Sequence, residues 1–325
     1  MPQGFNMELR SQQEWFWLLA IDLFLGGLGG GLFLLYEFFH LPPFLGLLSL
    51  GLVAAGGVVL LMELGHPLRA WRAIFRLRTS WISRGVLFVS LFLVAGSLHI
   101  APAFTNRSWF AGAGDDPGAK IITLIAGLSA MLITVYPGFV LSASRSIPFW
   151  HTPLVPLLFF THSIMGAGGI VLLASPFVSL NGGLPGVELL ETALIVLNLA
   201  LISLYLFGMD RAGSPGGESV RLLSMDSLGW TFRLGVVLVG MILPLSIILW
   251  LPPAAAAAGA CILTGGLLFR ICVLKAGVYV APALVGRDMS RLNRTGSDLE
   301  REYAGAAARV HASQGNRIAR HEKEG

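Results

Sequence analysis

Long apolar stretches alternate with short polar connections along the whole chain. Eight apolar runs fall at 15–39, 45–62, 86–104, 121–141, 153–174, 189–207, 232–250 and 254–274, and the last is expected to continue toward Tyr279. A helix needs about 20 such residues to cross a bilayer core. Strictly alternating polar and apolar segments, the mark of a membrane β-barrel, are absent from the sequence. Helices therefore satisfy the backbone in lipid. The pattern predicts an all-α integral membrane protein with eight transmembrane helices. Glycine clusters in runs one and five suggest two four-helix bundles. The expected organisation is a polar N-terminal segment (1–14), an eight-helix membrane domain (15–279) and a charged C-terminal tail (280–325).

Composition sharpens this picture. Only 12% of the 325 residues are charged and 55% are hydrophobic, with mean hydropathy +0.74. Soluble domains carry about 25% charged residues. The net charge is +4, but the basic residues flank the apolar runs, so topology and headgroup contact explain them better than nucleic acid does. Both termini fall on one side. Of 22 Lys and Arg, all but Arg107 and Lys120 fall on that side, which predicts cytoplasmic termini in a cell (inner) membrane. The orientation stands without the five arginines of the connection at 64–85 (Arg69, Arg72, Arg76, Arg78, Arg84). The first apolar run lacks the short h-region and cleavage site of a leader, and is expected to be retained. Cys261 and Cys272 lie on one helical run, roughly 16 Å apart by helix rise, too far for a disulfide. No Cys pattern supports covalent haem or an Fe–S cluster in this protein.

The glycines of run one, Gly26/Gly30 and Gly27/Gly31, form two offset G-x-x-x-G pairs that admit a neighbouring helix closely. A phosphate-cradling loop is excluded because no strand precedes them. Intramembrane ionisable residues are functional candidates by default. Asp22 lies inside run one on the terminal side. Glu63 and His66 close run two on that side, and Tyr136 lies near the same end of run four. His162 sits near mid-depth in run five, and Arg270 and Lys275 end run eight on the terminal side. Structural readings compete with each functional one. Asp22 would pair with an arginine, Glu63 and His66 would be helix-end groups, Tyr136 an aromatic-belt residue, and His162 and His99 packing residues. Glu37 and His40 read as interfacial.

A carboxylate, an acid–histidine pair, a tyrosine and arginines at one membrane face suit a quinone site. Quinone carbonyls need donors at headgroup depth, and quinol oxidation needs proton acceptors. Dihaem ligation needs two pairs of buried histidines. Only His99 and His162 lie well inside runs, so no haem is expected.

Four stretches carry a resemblance: FLGGLGGG in run one, LGHPLRAWR…RTSWISRG after run two, YPGFVLS ending run four and LLFRICVLKAG ending run eight. They resemble the NrfD/polysulfide-reductase membrane subunits over nearly the whole sequence. The resemblance implies a haem-free, quinone-reactive anchor (menaquinone or ubiquinone as bound substrate) without a redox centre of its own. It implies a ferredoxin-like Fe–S partner subunit, wired to a molybdopterin catalytic subunit. The family's quinone pocket uses a span-one histidine, which corresponds here to Asp22, and a tyrosine in a YPG context, here Tyr136. A carboxylate at Asp22 favours proton acceptance over neutral donation. Glu63 matches an acid ending the family's span two, while His66 stands where many relatives carry Arg.

The expected function is quinone/quinol exchange with an Fe–S partner. Asp22 and Tyr136 would hold the ring and Glu63 and His66 relay protons. Arg69, Arg72, Arg84 and, less directly, His162 would shape the site. A proton or solute transporter using intramembrane carboxylates is the alternative, although the far half holds little beyond Glu37, Lys120, Glu188 and Glu191 near its edge. A passive anchor without quinone chemistry is the third.

Overall fold

In the computed structural model, residues 10–11, 17–63, 78, 80–105, 116–178, 180, 183–211, 214–225 and 228–279 are described. Among the described residues, eight helices are long and apolar enough to cross a membrane: Trp17–Phe39, Pro43–Met62, Trp81–Thr105, Pro117–Ser142, Leu154–Ala174, Leu184–Arg211, Thr231–Trp250 and Pro252–Lys275. These are spans one to eight. Their outward faces are apolar, with Leu124, Leu128, Leu189 and Leu204 all exposed. That arrangement suits lipid rather than water. The protein is a multi-pass membrane protein.

Span ends differ from the apolar runs where capping chemistry extends a helix. Span four starts at Pro117 rather than 121 because Asp116 caps it, accepting from the Gly118 N–H at 2.8 Å, with Pro117 in the first turn. Span three starts at Trp81 under a Ser80 cap. Span one ends on His40, whose φ of 48° is the left-handed stop that turns the backbone toward Pro42 and Pro43. Span seven begins with twelve π-helical residues, Thr231–Ile242. The α-helical stretch after it carries Pro244 near its start, and Pro has no N–H for the preceding turn.

Two elements depart from expectation. The polar connection after span six contains a helix, Ser214–Ser224. Its Ser219 and Leu223 are buried and Arg221 pairs with Glu218 at 2.9 Å, a one-sided helix too short and polar to register as an apolar run. Span eight stops at Lys275. Val278–Tyr279 then forms a two-residue antiparallel pairing with Arg10–Ser11, so both ends of the membrane region meet.

Span one touches spans two, four, five and eight, and span five touches one, four, six and eight. Glycines make this possible. A Cβ on Gly29 would stand 2.6 Å from the Ser49 carbonyl oxygen, on Gly30 2.7 Å from that of Ala130, and on Gly31 2.7 Å from that of Ser163. The G-x-x-x-G reading is thus met on three faces of one helix. Gly259 against Gly169 and Gly265 against Gly240 bring span eight equally close to spans five and seven. Near the terminal side, Trp150 Nε1 donates to the Val273 carbonyl at 2.8 Å and the Tyr205 hydroxyl donates to that of Phe149. These bonds tie the connection between spans four and five to spans six and eight.

Gly30→Val is expected to force spans one and four apart and to destabilise the protein by about 1–3 kcal/mol or more. Thermal unfolding of the detergent-solubilised protein checks this, with Gly57→Val as control, because a Cβ there meets nothing within 4 Å.

Candidate functional site

Asp22 sits on the second turn of span one and is 8% exposed. Its Oδ1 lies 3.2 Å from where a Cβ on Gly56 of span two would stand. Tyr136 comes from span four, and its ring lies close enough to span three that a Cβ on Gly85 would be 2.6 Å from it. The two residues are within electrostatic reach of each other. Both line one small, largely enclosed cavity with Leu23, Gly26, Gly27, Val53, Gly57, Val89, Ile133 and Pro137. Its volume is about 20 Å³, room for roughly one water. Pro137 lacks the N–H that the Ile133 carbonyl would otherwise accept from in span four, which leaves that carbonyl without its helical donor. An acid and a tyrosine thus line one small, mostly apolar enclosure.

A larger groove of about 580 Å³ lies on another face of span four, against span five, lined by Met131, Val135, Phe139, His151, Pro156 and Phe160 among others. It opens outward. His151 Nδ1 is bonded to the Ser142 carbonyl at 2.6 Å. Among the described residues no acid lines the groove, and the candidate chemistry lies with the smaller cavity.

The remaining candidates divide. Arg84 stands one turn into span three. Its guanidinium lies 4.4 Å over the Trp81 ring and donates to the Arg78 carbonyl at 3.2 Å, while Trp81 stacks on Phe139 of span four. Glu63 is the last residue of the helix Pro43–Glu63; its side chain, and all of His66, Arg69 and Arg72, lie outside the described residues, as does the tail at 280–325. His162 is fully buried on span five, 3.8 Å from the Phe269 ring centroid, and is not among the residues lining the cavity. Among the described residues, neither of its ring nitrogens has a hydrogen-bond partner. His99 bonds Glu37 at 2.7 Å and the Thr123 hydroxyl at 2.9 Å, joining spans one, three and four in the far half.

Two residues differ from their sequence reading. Arg270 is not a headgroup contact at a helix end but is fully buried. Its Nε donates to the Leu23 carbonyl at 3.3 Å, Nη1 to that of Gly266 at 3.1 Å and Nη2 to Ser163 Oγ at 3.0 Å. The signal was present: a lone arginine inside LLFRICVL has no polar neighbour to carry it to the surface. Glu191 lies in the far half as expected, but it faces inward. It is fully buried, its carboxyl pressed on Gly168 without a hydrogen-bond partner among the described residues.

The family model described as "Polysulphide reductase, NrfD" matches residues 6–282. The sequence is 28% identical to Protein NrfD of Escherichia coli over 81% of its own length and 94% of that protein. It is 25% identical to the C component of polysulfide reductase from Wolinella succinogenes, over 85% of its own length and 95% of that protein. A third relative, the C component of sulfite dehydrogenase from Allochromatium vinosum, is 29% identical over 47% of each protein.

Gly85→Ala is expected to drive a methyl group into the Tyr136 ring and to cost about 1–3 kcal/mol. A lowered unfolding midpoint that Tyr136→Ala restores in the double variant would confirm the contact. Additive losses would deny it.

Proposed function

The chain belongs to the polysulphide reductase, NrfD family, and from that premise we propose that it is the quinone-reactive membrane subunit of an oxidoreductase complex. The observation that carries this reading is the meeting of Asp22 and Tyr136 at one internal cavity. The relatives named as components of polysulfide reductase and of sulfite dehydrogenase support a subunit within an oxidoreductase assembly.

In this reading a quinol ring enters between spans one, two, three and four. The cavity of about 20 Å³ is smaller than such a ring, so entry parts the helices lining it. The bare faces of Gly26 and Gly57 are where the ring fits. A quinol hydroxyl donates to the Asp22 carboxylate, and the Tyr136 hydroxyl donates to the opposite oxygen once it is a carbonyl. Oxidation releases two electrons and two protons. The electrons go to a ferredoxin-like Fe–S partner subunit, which is itself joined to a molybdopterin catalytic subunit. Asp22 takes the first proton, and Glu63 and His66 pass protons to the terminal, cytoplasmic face. Arg69, Arg72 and Arg84 present positive charge to the partner there. The membrane subunit itself holds neither haem nor cluster, and reduction of quinone runs the same path backwards.

One observation favours transport instead: Glu191, buried in the far half without a partner among the described residues. The next buried polar residue on span six, Asn198, lies two turns or about 10 Å away. Asn198 is bonded to Thr161 at 2.7 Å and to the Met165 thioether at 3.8 Å. The thioether interrupts a polar path, and the redox reading is preferred.

In the isolated complex, Asp22→Asn and Tyr136→Phe are each expected to lower quinol-linked kcat/KM at least about tenfold, the scale of one lost charged or well-placed hydrogen bond. Subunit assembly on gel filtration should remain intact. Unchanged turnover in both variants would refute the site.

A further inference from the structure

Arg270 is a charge without solvent and, among the described residues, without a counter-ion. It is 0% exposed on span eight, and its three hydrogen bonds go to two backbone carbonyls and a hydroxyl. No described carboxylate pairs with it. The rings of Phe24 and Phe159 lie 5.2 Å and 5.7 Å from its Cζ. A buried guanidinium of this kind is expensive, and a helix-packing role alone is served more cheaply by an apolar side chain.

Its position suggests what the charge does. A Cβ on Gly27 would stand 2.8 Å from Arg270 Nη2 and closer still to Ser163 Oγ. Gly27 also lines the cavity that holds Asp22 and Tyr136. Gly27 thus borders both the guanidinium and that cavity, as does Leu23, whose carbonyl Arg270 bonds. Asp22 lies five residues, or roughly 7–8 Å, back along span one. The other titratable groups around Arg270 are His162 on span five and Lys275 on its own helix. The cavity thus has an acid toward one end and a dry positive charge behind the other. Low-dielectric surroundings let that charge act across one residue.

We propose that Arg270 is an electrostatic specificity residue of the cavity, favouring a ligand ring that bears an oxyanion over a neutral ring of the same size. It touches no ligand; it acts through Gly27. The proposal rests on the quinone reading above for the class of ring.

The test compares two naphthoquinones of similar size on the assembled complex. 2-Hydroxy-1,4-naphthoquinone is an enolate at neutral pH, and 2-methyl-1,4-naphthoquinone is neutral. Kd is measured for both by quenching of intrinsic tryptophan fluorescence. Arg270→Gln is expected to weaken the enolate about tenfold relative to the neutral ring, which corresponds to about 1.4 kcal/mol. Arg270→Lys is expected to keep the preference. Ser163→Asp is the second arm, because it sets a carboxylate where Nη2 already donates and neutralises the charge without removing the side chain. It is expected to reproduce the Arg270→Gln ratio even if Arg270→Gln does not assemble. An unchanged enolate-to-neutral ratio in Ser163→Asp, or equal weakening of both rings in Arg270→Gln, overturns the proposal and leaves Arg270 a structural pin. If neither ring binds the unsubstituted complex, the quinone reading itself fails, which is a separate result.

Discussion

A guanidinium held away from all solvent ties three membrane spans together. Arg270 of span eight reaches the backbone of span one at Leu23 and the side chain of span five at Ser163. Those bonds form only because Gly27 leaves no side chain in the way. The cost of burying the charge is offset by filling its donors with carbonyl and hydroxyl oxygens. Span one is thereby fixed in rotation as well as in place, and the rotation decides which way Asp22 faces. Hydrogen bonding at one face of span one and chemistry at another are linked through a single helix.

The glycines extend that constraint. Span one meets spans two, four and five through Gly29, Gly30 and Gly31, and each contact is to backbone or to a short side chain. In lipid, helices gain little from hiding apolar area and associate through close packing and polar contacts. A central helix made of glycine can therefore serve as the axis for several neighbours. The Tyr136 ring is seated by the same device, against Gly85. The cavity between Asp22 and Tyr136 is what remains where four glycine-thinned helices do not quite fill space.

Much of this was legible in the residues. Eight apolar runs gave eight spans, because lipid requires a fixed length of apolar helix. Their ends moved by a few residues wherever a cap such as Asp116 or Ser80 carried the helix into polar sequence. The G-x-x-x-G pairs indicated close packing, and the family's motifs brought Asp22 and Tyr136 to attention together. Other features were missed. Arg270 lay near the end of a run, so it read as a surface charge. Its isolation in LLFRICVL hinted at burial, and the approach of three helices shows that it points inward. Glu191 was placed at its depth but not on its face, since distance along a helix does not report which face is buried. The helix Ser214–Ser224 has too few apolar residues for a run to reveal it.

Arg84 lies over the Trp81 ring at the start of span three, and Trp81 stacks on Phe139 of span four. The central claim is that the small cavity between spans one, two, three and four admits a quinone ring. The most direct measurement is photolabelling of the assembled complex in native membranes with an azido-quinone, followed by peptide mapping. Label is expected on spans one, two and four around Asp22, Gly57 and Tyr136, competed away by unlabelled quinol. Label confined to outward-facing residues such as Leu128 and Leu204, and insensitive to quinol, would contradict it.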